Sequence, residues 1–140
     1  MLDIERAELR LKEEKLSLVV VKNGKVIFET ESHGVKGFLE AIEFLREELA
    51  GSSVSDKVVG RAVALLIVYF RVAAVFAVTI SVEGVKVLED NNTFYQFERS
   101  VPNILNQKRN DVCPFEKLAL TIATPEEAYR KLTATQHSHC

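Results

Sequence analysis

A short polar stretch near the middle of the chain has side chains suited to an anionic ligand, namely Ser55, Asp56, Lys57, Gly60 and Arg61. This stretch is predicted to begin a helix, and the backbone N–H groups at a helix N-terminus attract anions. On such a helix Lys57 and Arg61 lie on one face, where both can contact a phosphate. Gly60 lets a ligand or a neighbouring strand approach closely. The alternative interpretation is structural: Ser55 or Asp56 caps the helix, and Arg61 pairs with a carboxylate.

A second candidate site lies near the end of the chain, where Cys113 precedes Pro114 and Glu116. Proline is favoured at the first position of a helix and glutamate in its first turn, so a helix is predicted to begin here. A thiol at a helix N-terminus is acidified and can act as a nucleophile. A nucleophilic cysteine also needs a base, and His33 is the one histidine before the C-terminal tail. The alternative is an inert, buried cysteine in front of a helix.

Ser81 and the C-terminal tail hold the remaining polar candidates. Ser81 follows a predicted buried strand, and open α/β sheets bind ligands at the carboxyl ends of their strands. Alternatively, Ser81 caps the next helix. His137, His139 and Cys140 have the composition of metal ligands, but residues 133–140 have no periodic pattern and are expected to fray. A frayed tail does not hold a metal in fixed geometry, so no metal site is predicted.

The elements that would position these side chains are a buried helix and a buried strand. Residues 55–70 are predicted to form a helix that is apolar on all sides after its first turns, and such a helix must be covered on more than one side. Residues 73–82 are rich in valine and isoleucine, as a fully buried strand is. Upstream, Asn23 and Gly24 predict a two-residue hairpin turn, since both residues tolerate positive φ. Downstream, residues 124–127 (TPEE) form a capping box that predicts a helix start.

The predicted elements follow one another as helix, hairpin, helix, helix, strand, helix, strand and helices. This order indicates an α/β fold, a three-layer α/β/α sandwich with one mixed sheet of four to five strands. Because the chain has 140 residues and shows no repeat or linker, a single domain is expected over residues 1–140, with a core at about 15–132.

Composition and charge argue against several classes of partner. The net charge of −2 argues against a nucleic-acid-binding protein, and Lys108 and Arg109 lie among Asn and Asp residues, as in a solvated loop. The longest apolar stretch is interrupted by Arg71, so neither part is long enough to span a membrane. The charged N-terminus and the two cysteines, which form no CxxC pair, favour a cytoplasmic protein.

Two segments resemble a known family. Residues 56–62 (DKVVGRA) and 113–116 (CPFE) resemble an uncharacterised bacterial family whose fold is similar to that of cytidine deaminase, and the resemblance extends over about residues 15–132. Zinc deaminases carry His or Cys followed by Ala-Glu at the start of the central helix, and Pro-Cys-x-x-Cys after the next strand. The corresponding residues here, 56–58 (DKV) and 80–84 (ISVEG), include no thiol or imidazole. The resemblance therefore implies a nucleotide-sized pocket at the helix starts, without zinc and without zinc-dependent deamination.

These observations leave three hypotheses of function open. The first is a metal-free, deaminase-like domain that binds a nucleotide or a similar phosphate-bearing ligand, with Lys57 and Arg61 on the phosphate and Asp56 on the ribose or base. The second is an enzyme of unidentified reaction that uses Asp56 with Cys113 or Glu116. The third is a non-catalytic scaffold or interaction domain.

Overall fold

Helices and strands alternate along most of residues 1–134, the part of the chain that the computed structural model describes. The first half contains α1 (Asp3–Glu13), β1 (Leu18–Lys22), β2 (Lys25–Thr30), α2 (Gly34–Leu45), a 3-10 turn (Arg46–Leu49) and β3 (Ser53–Val59). The second half contains α3 (Arg61–Tyr69), β4 (Ala74–Ser81), α4 (Val82–Asp90), β5 (Phe94–Val101), α5 (Pro114–Ala119) and α6 (Pro125–Ala134).

Within residues 1–134, the strands form one mixed sheet of five strands in the order β2-β1-β3-β4-β5. Strand β1 is antiparallel to both of its neighbours, whereas β3, β4 and β5 are parallel to one another. The predicted hairpin turn between β1 and β2 is confirmed, since φ is 52° at Asn23 and 79° at Gly24. The carboxyl ends of the three parallel strands meet at one edge of the sheet.

Helices cover both faces of this sheet. Helix α1 packs against Val19 and Val21 of β1. The alternate β1 residues, Leu18 and Val20, belong to a larger core that also contains α2, α3 and α4. Because successive side chains of a strand point to opposite faces, α1 lies on one face and the larger core on the other. The predicted α/β/α sandwich is therefore confirmed. None of the helices within residues 1–134 is long and apolar enough to cross a bilayer.

Helix α3 is buried, as its composition predicts, but it begins later than the sequence indicates. Residues 62–67 are all buried. The prediction that residues 55–59 belong to this helix is wrong, because they lie in β3, which pairs with β1 on one side and β4 on the other. Strand β4 pairs along the segment, and β1 pairs with Ser55 and Asp56. Such tertiary pairing decides between strand and helix for a short segment.

The last helix confirms the predicted start at residue 124. The backbone N–H of Glu127 donates to the Thr124 hydroxyl over 3.2 Å, while the Glu127 carboxylate accepts from the N–H of the residue before Thr124. Residues 133 and 134, predicted to fray, belong to α6. The rest of the predicted tail, residues 135–140 with His137, His139 and Cys140, lies outside the described residues.

Candidate functional site

The N-terminus of α3, where the sequence predicted a ligand, holds the side chain of Glu116. Its Oε1 accepts a hydrogen bond from the Arg61 N–H over 2.7 Å, and its Oε2 accepts one from the Ala62 N–H over 2.9 Å. Glu116 is 8% exposed, and this burial raises its pKa despite the opposing effect of the two backbone hydrogen bonds. The carboxylate lies in the place that an external anion takes at the start of a helix.

Helix α5 and the backbone at Gly60 together make room for this carboxylate. Pro114 stands in the first turn of α5, as predicted, and Glu116 follows in the same turn. A Cβ atom on residue 60 would lie 2.2 Å from Oε1 of Glu116. The close approach that the sequence predicted at Gly60 is therefore made by a side chain of the protein itself.

Arg61 connects α3 to the segment around α5. Its Nε donates to the Ala119 carbonyl and its Nη2 donates to the Ile122 carbonyl, each over 2.9 Å, and its Nη1 lies 3.9 Å from the Glu83 carboxylate. The prediction that Lys57 and Arg61 share one helix face is wrong, because Lys57 lies in β3. The two cations belong to different elements and have different surroundings.

Ser55 and Asp56 are buried in β3 and do not stand at a helix start. Ser55 is fully buried, and its hydroxyl donates to the Ala7 carbonyl of α1 over 2.7 Å. Asp56 is 2% exposed; its Oδ1 accepts from the Val58 N–H over 3.3 Å, and its Oδ2 has no hydrogen-bond partner among residues 1–134. Burial raises the pKa of Asp56 to about 8. The carboxyl group is therefore mostly protonated at neutral pH.

Ser81 and Cys113 each stand directly before a helix. The Ser81 hydroxyl accepts from the Gly84 N–H over 3.0 Å and caps α4, as the structural alternative predicted. Cys113 is 2% exposed and is not a free thiol. This corrects the expectation of a nucleophilic thiol at Cys113, because the nucleophile is the free thiolate.

The residues around the start of α3 do not fit the zinc ion of the deaminases. The N–H groups of the first turn bind Glu116, and the neighbouring Asp56 is a single buried carboxyl group. Within residues 1–134, no group of three His, Cys, Asp or Glu side chains is arranged to hold a metal.

A cleft of about 640 Å³ lies at the carboxyl edge of the three parallel strands. Its wall combines the ends of β3, β4 and β5 with the residues that precede β1 and α2 and with the loop that follows β5. Ligands of open α/β sheets commonly bind outside this edge. The charged and polar side chains of the wall include Ser17, His33, Lys57, Thr79, Arg99 and Arg109.

Three cations from separate segments line this cleft: Lys57 of β3, Arg99 of β5 and Arg109 of the following loop. No Asp or Glu among residues 1–134 lines it, and none of the three cations forms an ion pair with a carboxylate in that part of the chain. Arg99 instead donates from Nη2 to the Thr79 hydroxyl over 3.1 Å. The positive charge of the cleft is thus uncompensated by these residues.

A folded loop presents Arg109 to the cleft. The Asn106 side chain donates to Oδ1 of Asn110 over 2.8 Å and accepts from the Asn110 N–H over 3.2 Å. Leu105 and Val112 form an antiparallel bridge that closes the base of the loop. The segment that the sequence indicated as a solvated loop therefore has internal structure, and Arg109 lines the cleft while Lys108 does not.

Of the three cations, sequence reasoning identified Lys57 and missed the two arginines. Arg99 is a charged residue within an aromatic strand, and Arg109 belongs to a polar segment far from Lys57 along the chain. The available signal for Arg99 was its position near the end of an aromatic strand, the edge where ligands of such sheets bind. Arg109 lies well beyond the end of β5 at Val101 and carried no such signal.

Comparison with known proteins gives a family and a fold. Residues 6–135 match the family described as TM1506, Domain of unknown function (DUF1893). The crystal structure of a DUF1893 family protein (TM1506) from Thermotoga maritima matches with a TM-score of 0.87 and 29% identity, over 96% of this chain and 91% of that one. RibD from Acinetobacter baumannii matches with a TM-score of 0.51 and 14% identity, over 96% of this chain and 39% of that one. The dCMP deaminase of cyanophage S-TIM5 has a TM-score of 0.48 and 17% identity, over 71% of this chain and 94% of that one. A search of curated proteins gave no match.

The resemblance to an uncharacterised family, stated from sequence, is confirmed by the family match and by the Thermotoga maritima structure. The likeness to RibD, at 14% identity, shows the fold alone. Since the family match spans residues 6–135, nearly the whole chain, this protein belongs to the DUF1893 family, a domain of unknown function.

Proposed function

We propose that this protein binds a phosphate-bearing small molecule of nucleotide size in the cleft at the carboxyl edge of β3, β4 and β5. The observation that carries the proposal is the convergence of Lys57, Arg99 and Arg109 on one cleft without a carboxylate partner among residues 1–134. Cations that line one cleft repel one another, and an anion that binds between them reduces this repulsion. Lysine and arginine are also the residues that form strong, charge-assisted hydrogen bonds to phosphate.

The size and place of the cleft support a small ligand. Its volume of about 640 Å³ lies within the range of pockets that hold small molecules and cofactors. Its position corresponds to the edge at which α/β sheets usually bind ligands. A nucleoside monophosphate is therefore the natural first probe.

This proposal keeps the ligand class expected from sequence and moves its position. The predicted position was the start of the central helix, with Lys57 and Arg61 on the phosphate. Glu116 accepts the hydrogen bonds of the helix N–H groups, and the Arg61 guanidinium donates to two carbonyls. Lys57, in contrast, lines the cleft. Of the predicted ligand-binding residues, we retain Lys57.

Titration calorimetry at low salt tests the proposal with three probes: AMP, inorganic pyrophosphate and uncharged adenosine. We expect AMP and pyrophosphate to bind and adenosine to bind far more weakly, because the cations supply most of the affinity. Lys57→Met is expected to weaken binding of both anions about tenfold, the effect of losing one charge-assisted contact. Lys108→Met is the matched control, since Lys108 is a neighbouring cation that does not line the cleft.

Two results contradict the proposal. One is the absence of AMP and pyrophosphate binding at millimolar concentration. The other is an equal loss of affinity in Lys57→Met and Lys108→Met, which indicates a general effect of net charge instead of a defined cleft.

A further inference from the structure

The loop that carries His33 is held rigidly against α2. The Glu40 carboxylate of α2 accepts hydrogen bonds from the Thr30 hydroxyl over 2.8 Å and from the Ser32 hydroxyl over 2.7 Å. A Cβ atom on Gly37 would lie 2.4 Å from the Ser32 carbonyl oxygen, so the glycine allows the loop to lie directly on the helix. His33 is thus an exposed residue on a fixed backbone, and it lines the same cleft as the three cations.

The hydrogen bonds of Ser17 determine which nitrogen of His33 carries a proton. The Ser17 hydroxyl donates its single proton to the Glu31 carbonyl over 3.0 Å. Its 3.3 Å contact with Nδ1 of His33 must then run the other way, with the Nδ1–H donating to the Ser17 oxygen. A neutral imidazole with its proton on Nδ1 has a lone pair on Nε2, on the opposite side of the ring. His33 Nε2 has no hydrogen-bond partner among residues 1–134.

We propose that Nε2 of His33 accepts a hydrogen bond from a sugar hydroxyl of the ligand, so that the cleft selects a sugar phosphate over an inorganic phosphate. This inference rests on the function proposed above and names the class of ligand. The Nε2 lone pair of His33, in the same cleft as Lys57, Arg99 and Arg109, complements a molecule with an anionic group and a nearby hydroxyl donor. A ribose phosphate has both groups, whereas pyrophosphate has the charge without a sugar hydroxyl.

The test compares AMP with 2′,3′-dideoxyadenosine 5′-monophosphate, which keeps the phosphate and the base and lacks both ribose hydroxyls. In the unmodified protein AMP is expected to bind about tenfold more tightly than the dideoxy compound, the effect of one hydrogen bond to a well-placed partner. In His33→Ala the two affinities are expected to become equal, while the affinity for pyrophosphate stays unchanged. In Lys57→Met all three affinities are expected to fall together.

A long-range ¹H–¹⁵N spectrum of the full chain supplies a second readout that does not depend on any ligand. It identifies the tautomer of His33, with the His33→Ala spectrum assigning the signals. We expect the proton on Nδ1, and the same ring in Ser17→Ala is expected to shift toward the Nε2–H tautomer.

The outcomes separate this inference from the function on which it rests. Equal binding of AMP and the dideoxy compound to the unmodified protein overturns the role of His33 and leaves the anion site intact. A parallel loss of all three ligands in His33→Ala also overturns it, because the histidine then acts as a further cation. An Nε2–H tautomer overturns the assignment of the acceptor. Failure of every anion to bind overturns the proposed function and the inference with it.

Discussion

Oε1 of Glu116 lies in the space that a side chain on Gly60 would need, with 2.2 Å between this oxygen and the position of a Cβ atom on residue 60. The same carboxylate accepts the hydrogen bonds of the first two N–H groups of α3. Glycine at residue 60 and glutamate at residue 116 therefore form one structural unit at the start of the buried helix.

Gly60→Ala is expected to displace Glu116 and to lower the free energy of unfolding by about 2–4 kcal/mol, since two backbone N–H groups lose their acceptor and the helix start is strained. Urea denaturation measures this loss. The Gly60→Ala/Glu116→Ala double variant is the informative comparison: with the carboxylate gone, the added methyl group has nothing to displace, so it should cost little beyond Glu116→Ala alone. If the losses in free energy of unfolding of the two single variants simply add in the double variant, the link between Gly60 and Glu116 is refuted.

Glu116→Ala is expected to lower the free energy of unfolding by about 2–4 kcal/mol, because it leaves the Arg61 and Ala62 N–H groups unpaired near the positive end of a helix. Glu116→Gln should be intermediate, because its amide nitrogen cannot accept the second hydrogen bond. The control is Glu43→Ala, an exposed glutamate of α2 that forms no hydrogen bond or ion pair among residues 1–134. If the Glu43 and Glu116 variants lose equal stability, the contact at α3 contributes nothing.

Asp56 is expected to make stability fall as pH rises. The pKa of Asp56 is about 8 in the folded protein and near the usual 3.8 when unfolded, so the folded state binds the proton more tightly. The contribution is complete below about pH 4 and is lost as pH rises toward 8, by at most about 1.4 kcal/mol per pH unit. Asp56→Asn cannot titrate, so its stability relative to the unmodified protein should rise by roughly 1–3 kcal/mol between pH 5 and pH 7.

Urea denaturation at several pH values measures the effect of Asp56→Asn. Asp90→Asn, at an exposed aspartate, controls for the general loss of a carboxylate and should follow the unmodified protein at every pH. Parallel pH profiles of Asp56→Asn and the unmodified protein would show that Asp56 is ionised in the folded state.

Ser55→Ala is expected to lower the free energy of unfolding by about 1–2 kcal/mol, because the buried Ala7 carbonyl loses the hydroxyl that donates to it over 2.7 Å. AMP affinity should not change, since Ser55 lies under α1 and does not line the cleft. Ser100→Ala, an exposed serine of β5, is the matched control for stability. A loss of AMP affinity in Ser55→Ala without a loss of stability would instead assign Ser55 to the ligand.

Local sequence patterns were sufficient to predict several features of the fold. The Asn23-Gly24 turn was predictable because few residue pairs tolerate positive φ at both positions. The burial of residues 62–67 followed from a helix with no polar face, and the helix start at Thr124 followed from its capping residue. Each of these features depends on residues close together in the chain, so a single sequence contains the information.

Features that depend on distant partners were not predictable in the same way. Residues 55–59 carry the polar start and apolar continuation typical of a helix, yet they form a strand because β4 pairs along them and β1 pairs with Ser55 and Asp56. The helix N-terminus has the chemistry of an anion site, yet the anion is Glu116 of α5, brought there by the packing of α5 against α3.

The sequence by itself determined the α/β class, the buried central helix and the family to which the chain belongs. Only the tertiary structure decided that Lys57, Arg99 and Arg109 line one cleft with His33. The physical reason is that a binding site depends on where charged and hydrogen-bonding groups lie in space. Three parallel strands that end at one edge bring together residues that are far apart in the chain.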